Sequence, residues 1–145
     1  KNDSLVYVAC SKSKQVRIFD ITASPALYVG KIDIPITGGN IEFEGPAQLK
    51  LTPDGKKLYV ATFKANSVVA VDVENRRWTS DIPVGTPWAF AVDVSDDGTR
   101  AYVSCANSIG TQKGKVYVLD TSTDRIIDSI LVGKASFMVH YHNHH

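Results

Sequence analysis

At 145 residues the chain is long enough for one domain with a sizeable core, and its 43% hydrophobic content is ordinary for a globular protein. Sixteen Lys and Arg stand against fifteen Asp and Glu, a net charge of +1 with the two signs interleaved, which argues against the basic face of a nucleic-acid binder. No apolar run approaches the roughly 20 residues of a membrane-spanning helix.

Residues 4–10 are rich in β-branched and aromatic residues and predict a strand. Ser11-Lys12-Ser13-Lys14 is a polar turn, 15–21 a second strand and 27–34 a third. The connection Gly38 to Gly45 has no later equivalent. A further strand, Ala47 to Leu51, precedes Thr52-Pro53-Asp54-Gly55, a strong turn signal because Pro presets φ at one turn position and Gly accepts the strained one. Strands follow at 57–63, 67–73 and 77–83. The order then repeats: strand 88–94, turn Ser95-Asp96-Asp97-Gly98, strand 99–105, a long loop 106–114, and strands 115–120 and 125–132. The tail from Ser136 to His142 aligns with Trp88 to Val94 and predicts one more strand. No segment has capped helical spacing.

The unit is a true repeat. Tyr7, Tyr59 and Tyr102 recur at spacings of 52 and 43, and Asp20, Asp72 and Asp120 at 52 and 48. Periods of about 40–50 residues with four strands each indicate propeller blades. The expected fold is all-β, with blades of four antiparallel strands named A to D from the centre outward. Strands B to D of a first blade occupy 4–36, a complete second blade 46–85, a third 87–133, and strand A of a next blade 135–142.

Thr52-Pro53-Asp54-Gly55-Lys56-Lys57-Leu58-Tyr59-Val60-Ala61-Thr62, then Ser67 to Asp72, then Ile82-Pro83-Val84-Gly85, resembles the YVTN family of β-propeller repeats. Residues 95–133 carry the same pattern, and the first copy has Ile36-Thr37 where Val-Gly is expected. The resemblance implies fold more than function, since such repeats occur in surface proteins, lactonase-like propellers and propeller subunits of periplasmic redox enzymes. It implies a periplasmic, extracellular or cell-surface location. Lys1 in place of an initiator Met fits a processed or excised chain.

Three blades are too few to close an ordinary ring, and an open propeller leaves sheet faces and edges bare. The missing surface is expected from the remaining blades of a longer propeller or from a homodimer that exchanges strands.

Two regions are candidate sites. Connection 38–45 and loop 106–114 emerge at the same end of the blades, and loops on a rigid scaffold are where binding surfaces live. Glu42, Glu44, Asn107, Gln112 and Trp88 are the groups of that binding face. All four histidines lie in the last six residues. Strand alternation places His140, His142 and His144 on one face, and neutral imidazole ligates copper, zinc and iron. One or two of them, joined by groups from other blades, are candidate ligands for a transition metal (Cu, Zn or Fe) at the channel. The competing reading is a solvent-exposed strand end or an artificial tail. Trp78 is expected at a blade edge, and Asp20, Asp72 and Asp120 as turn formers. Cys10 and Cys105 occupy equivalent positions two repeats apart, farther than the about 7 Å a disulfide spans, and are expected as buried thiols.

No covalent-haem motif, nucleophile elbow, P-loop or dinucleotide fingerprint is present. The expectation is a binding or scaffolding module that meets a protein partner. The alternative is the propeller portion of a redox or hydrolytic enzyme with a His-held metal.

Overall fold

A computed structural model describes residues 4–36, 45–63, 65–85, 87–106, 113–134 and 136–143. Every regular element among them is a β-strand. β1 (Leu5–Cys10), β2 (Gln15–Asp20) and β3 (Leu27–Asp33) form an antiparallel three-stranded sheet. β4 (Gly45–Leu51), β5 (Lys57–Phe63), β6 (Ser67–Asp72) and β7 (Arg77–Pro83) form a four-stranded sheet, paired in sequence order. β8 (Ala89–Val94), β9 (Arg100–Cys105), β10 (Lys113–Asp120) and β11 (Arg125–Lys134) form another. Three up-and-down blades in chain order make this an all-β partial propeller, as the repeat predicts.

Local chemistry explains the turns. Asp20, Asp72 and Asp120 accept hydrogen bonds from the residues that follow them, the amides of Thr22, Asn75 and Ser122 at 2.8, 3.0 and 2.9 Å. The side chains of Thr22, Asn75 and Ser122 donate to them as well, and these side-chain bonds first, then the amide bonds, hold all three carboxyls below their ordinary range. Asp54 and Asp97 do the same inside the A–B turns, each also accepting the hydroxyl two residues before it at 2.6 Å. Gly55 and Gly98 adopt φ of 71° and 73° there, the left-handed region where a side chain is costly.

Alternation decides the core. Leu58, Val60, Val69 and Val71 on one face of the second sheet pack against Val16, Ile18, Ile32 and Ile34 of the first. Tyr59, Ala61, Val68 and Ala70 on its other face pack against Val92, Val94, Ala101 and Val103 of the third. The second blade is therefore covered on both faces. The outer two are each open on one, and equivalent residues show the difference. Leu58 is fully buried whereas Val6 at the same register is 40% exposed, and Ile82 is 7% exposed whereas Ile130 is 50% exposed.

Three details differ from the sequence expectation. β10 begins at Lys113 and β11 runs on to Lys134. The tail, expected as a strand over 135–142, forms none over its described residues 136–143. It nevertheless lies along the third sheet: the Ser104 hydroxyl donates to the Phe137 carbonyl at 3.2 Å, and Tyr141 stacks on Tyr102 at 5.6 Å. A strand needs a neighbouring backbone ladder, and the tail is held here chiefly through side chains. Finally, both cysteines are free, but only Cys105 is buried, whereas Cys10 is partly exposed on the uncovered first blade.

Candidate functional site

The loop-bearing end of the blades carries an aromatic group drawn from three places. Phe63 ends β5, Trp88 precedes β8, Phe90 lies within β8 and Phe137 comes from the tail. Ring centroids are 5.8 Å apart for Phe63 and Trp88, 4.7 Å for Phe63 and Phe90, and 4.8 Å for Phe90 and Phe137. The last pair meets edge to face, at 87°, the arrangement ring quadrupoles favour.

Backbone geometry aims these rings. Trp88 adopts φ of 63°. Its amide donates to Asn66 Oδ1 at 3.0 Å and its carbonyl accepts the Ala106 amide at 3.1 Å. The Trp is thus pinned between the β5–β6 turn and the end of β9. Phe90 is the extra residue of a β-bulge, where the β8–β9 register shifts between Ala89 and Ala91. Bulges re-aim side chains, and this one sends Phe90 to the aromatic group within an otherwise buried strand. Phe137 is 42% exposed and the adjoining Met138 76%, so the group presents apolar surface to solvent.

Between β4, β8 and the tail lies a cleft of about 390 Å³ lined by Gln48, Lys50, Asp93, Met138 and His140. Its fixed point is Asp93, whose side chain is 5% exposed. Oδ1 accepts Lys50 Nζ at 2.7 Å and the Val94 amide at 2.9 Å. Oδ2 accepts the Tyr141 amide at 2.7 Å and faces His140 Nδ1 at 3.0 Å. Burial works to raise the Asp93 carboxyl, but the Lys50 ammonium and the two amides outweigh it and hold it below the usual range. The Lys50 ammonium and two backbone amides occupy the carboxylate, with the His140 ring beside it, so it acts as a structural anion rather than as a general base. Beside it, the Gln48 side-chain oxygen accepts the Val92 amide at 2.5 Å, a second tie between the inner strands.

A larger cleft of about 960 Å³ opens at the opposite end, between the turns of the second and third blades. Asp54, Lys56, Glu74, Asp97 and Thr121 line it. Its floor is the network of Lys57 and Asp124, paired at 2.8 Å.

Trp88 stands in the aromatic group, and His140 at the cleft. The His140 side chain is 81% exposed, and its pairing through Nδ1 leaves Nε2 directed away from Asp93. His142 is exposed beside it. Glu42, Glu44, Asn107, Gln112 and His144 lie outside the described residues. No group of three or more His, Cys, Asp or Glu side chains that could hold a metal occurs among the described residues.

Sequence reasoning did not single out Asp93, Lys50, Phe63, Phe90 or Phe137. One signal was available: Lys50 and Asp93 hold the same position of strand A in successive copies, opposite charges in strands that are otherwise largely apolar.

The chain is a β-propeller by fold, and solved structures agree. Kuenenia stuttgartiensis hydrazine synthase superposes with a TM-score of 0.76 at 21% identity, over 90% of this chain and 34% of that one. The RRP9 WD40 repeats match with a TM-score of 0.69 at 11% identity, over 90% of this chain and 36% of theirs. The U3-55K structure gives 0.69 at 9% identity, over 88% and 36%. The chain therefore spans about a third of the length of these propellers. No protein-family model matches it. No curated protein matches it either.

Proposed function

We propose that the chain is a binding or scaffolding module of the YVTN type, presenting its loop-bearing end to a protein partner. The aromatic group of Phe63, Trp88, Phe90 and Phe137 carries this reading. Clustered, partly exposed aromatics are unusual on a free surface and are typical anchors of interfaces. They lie at the end where the two irregular connections emerge. The YVTN resemblance supports a secreted, periplasmic or cell-surface location, which cell fractionation tests.

The test removes the exposed part of the group and spares its pinned part. Phe137→Ala with Met138→Ala should keep the thermal midpoint within a few degrees and abolish co-purification of whatever protein the wild-type chain retains under cross-linking. Retention of the same partner by the variant would remove the aromatic end from the function.

A second reading rests on the Asp93–His140 pair. A carboxylate on Nδ1 fixes the imidazole tautomer and leaves Nε2 as a metal ligand, the usual outer-shell arrangement of metal-bound histidines. In this reading the chain is the propeller portion of a redox or hydrolytic enzyme with copper, zinc or iron at His140 and His142. Calorimetric titration with each metal should then give stoichiometric binding that His140→Ala removes. Absence of stoichiometric uptake leaves the scaffold reading.

A further inference from the structure

The two interfaces within the molecule are closed by one device in two chemical versions. Each uses the left-handed residue of a β-strand C to D turn, which reaches back to the preceding blade. Arg76 (φ 50°) ends the turn between β6 and β7, and Asp124 (φ 55°) ends that between β10 and β11.

Arg76 Nη1 donates to the Val29 carbonyl at 2.8 Å, and its charge counteracts the rise that burial imposes on the Tyr7 phenol. Asp124 accepts the Tyr59 hydroxyl at 2.5 Å, Lys57 Nζ at 2.8 Å and the Ser80 hydroxyl at 3.3 Å. Tyr7 and Tyr59 are repeat equivalents, and so are Gly30 and Ser80. Gly30 pairs with Ile18 and Ser80 with Ala70, each just past the single β-bulge between strands C and D.

The seat matches the staple. A Cβ at Gly30 would stand 2.7 Å from the Arg76 guanidinium, so the long cation has a glycine beneath it. The short anion has a hydroxyl. The position two residues before the Tyr follows suit, being the apolar Leu5 in the blade that meets the cation and Lys57, paired to the anion, in the other.

The third blade carries the same seat, open. Tyr102 is the equivalent Tyr, and Asp128, paired with Val118 past its own bulge, is the equivalent of Gly30 and Ser80. Arg100 holds the Lys57 position but is already paired within its blade to Asp120 at 3.1 Å. Asp128 accepts the Ser129 amide at 2.7 Å and meets no cation among the described residues. Around it lies the apolar face that includes Ile130. The tail already sits where the inner strand of a following blade belongs, through Tyr141 on Tyr102.

We infer that this face receives a further four-stranded blade of the same repeat, whose C–D turn delivers a basic residue to Tyr102 and Asp128. The inference deepens the propeller-module reading by naming the occupant of one face. A second copy offering its first blade fits poorly. The connection from Asp20 to Leu27 is two residues longer than its equivalents, and its φ values include no left-handed residue in the staple position.

The charge rule can be read inside the existing second interface, independently of what binds the loop-bearing end. Ser80→Asp should lower the thermal midpoint by about 5 °C beside Asp124. In a background of Asp124→Arg with Lys57→Leu the same Ser80→Asp should leave the midpoint unchanged or raise it. An equal loss in both backgrounds overturns the inference. Should the triple variant not fold, the chain extended after His142 by a second copy of residues 52–85 gives the same reading. Extension should raise the midpoint more with Arg at the copied staple position than with Asp there, and equal or reversed midpoints overturn it. Light scattering on the unextended chain supplies the remaining arm: a stable dimer that Ile130→Lys dissociates would make a second copy the occupant and overturn the inference.

Discussion

The hydroxyl of Tyr59, on a fully buried residue of β5, donates at 2.5 Å to Oδ1 of Asp124 in the outer turn of the next blade. One bond thus ties the middle of one sheet to the rim of its neighbour. Burial first, then the hydrogen bond and charge of Asp124, push the phenol well above its ordinary range, so it remains a donor at any physiological pH. Removing the two partners should cost unequally. Tyr59→Phe removes one donor while Lys57 and Ser80 still serve the carboxylate, a loss of about 1 kcal/mol. Asp124→Ala strands a partly buried ammonium and a buried hydroxyl together, a loss of about 2–3 kcal/mol. Urea denaturation of the two variants should show that order.

Acid should loosen the inner strands through Asp93. Its folded carboxyl lies below the usual range, so the folded state favours the charged form. The stability this contributes is fully present above the unfolded value of about 3.9 and is lost as pH falls through the lower folded value. Denaturation midpoints at pH 7, 5, 3 and 2 should hold between the first two and then fall. Asp93→Asn should lower the midpoint at pH 7 and flatten the acid fall. An unchanged acid slope in Asp93→Asn would assign that fall to other carboxylates.

Tyr141 and Asp93 hold the tail from two sides, one by stacking on Tyr102 and one by accepting the Tyr141 amide. Tyr141→Ala should free the segment without unfolding the blades. Limited proteolysis should then cut within 136–143 several-fold faster, while the thermal midpoint moves by only a few degrees.

Gly45 opens β4 against the β1–β2 turn, where a Cβ would collide with the backbone carbonyl and Cα of Ser11. Backbone cannot swing aside as a side chain can. Gly45→Ala should therefore separate the first and second blades at that corner and cost about 1–3 kcal/mol, as overpacking does. A calorimetric midpoint reads this directly.

The two cysteines should differ in reactivity. Cys105 is fully buried, and burial pushes its thiol up to about 12, whereas Cys10 is partly exposed. The thiolate is the reactive form. A chromogenic disulfide reagent should titrate one thiol in the native protein and two after denaturation, and Cys10→Ser should abolish the native reaction.

The repeat by itself determined the blades. Tyr7, Tyr59 and Tyr102 at one register, the Pro-Asp-Gly and Asp-Asp-Gly turns, and the period-2 alternation are local signals, because a strand's two faces and a turn's φ values depend on neighbouring residues. The same periodicity exposed the three-stranded first copy and the bare outer faces. The sites were less legible. His140 was visible as an unusual residue, but its partner Asp93 lies 47 positions away and meets it only because the tail folds back along β8. Phe63, Trp88, Phe90 and Phe137 come together from three blades' worth of chain, one of them through a bulge that alternation does not predict. Likewise, nothing local distinguishes Arg76 from Asp124 as staples or reveals that Gly30 and Ser80 are their seats. Those pairings are set by the stacking of one sheet on the next, where distance in sequence no longer measures distance in space, and only the tertiary structure decides them.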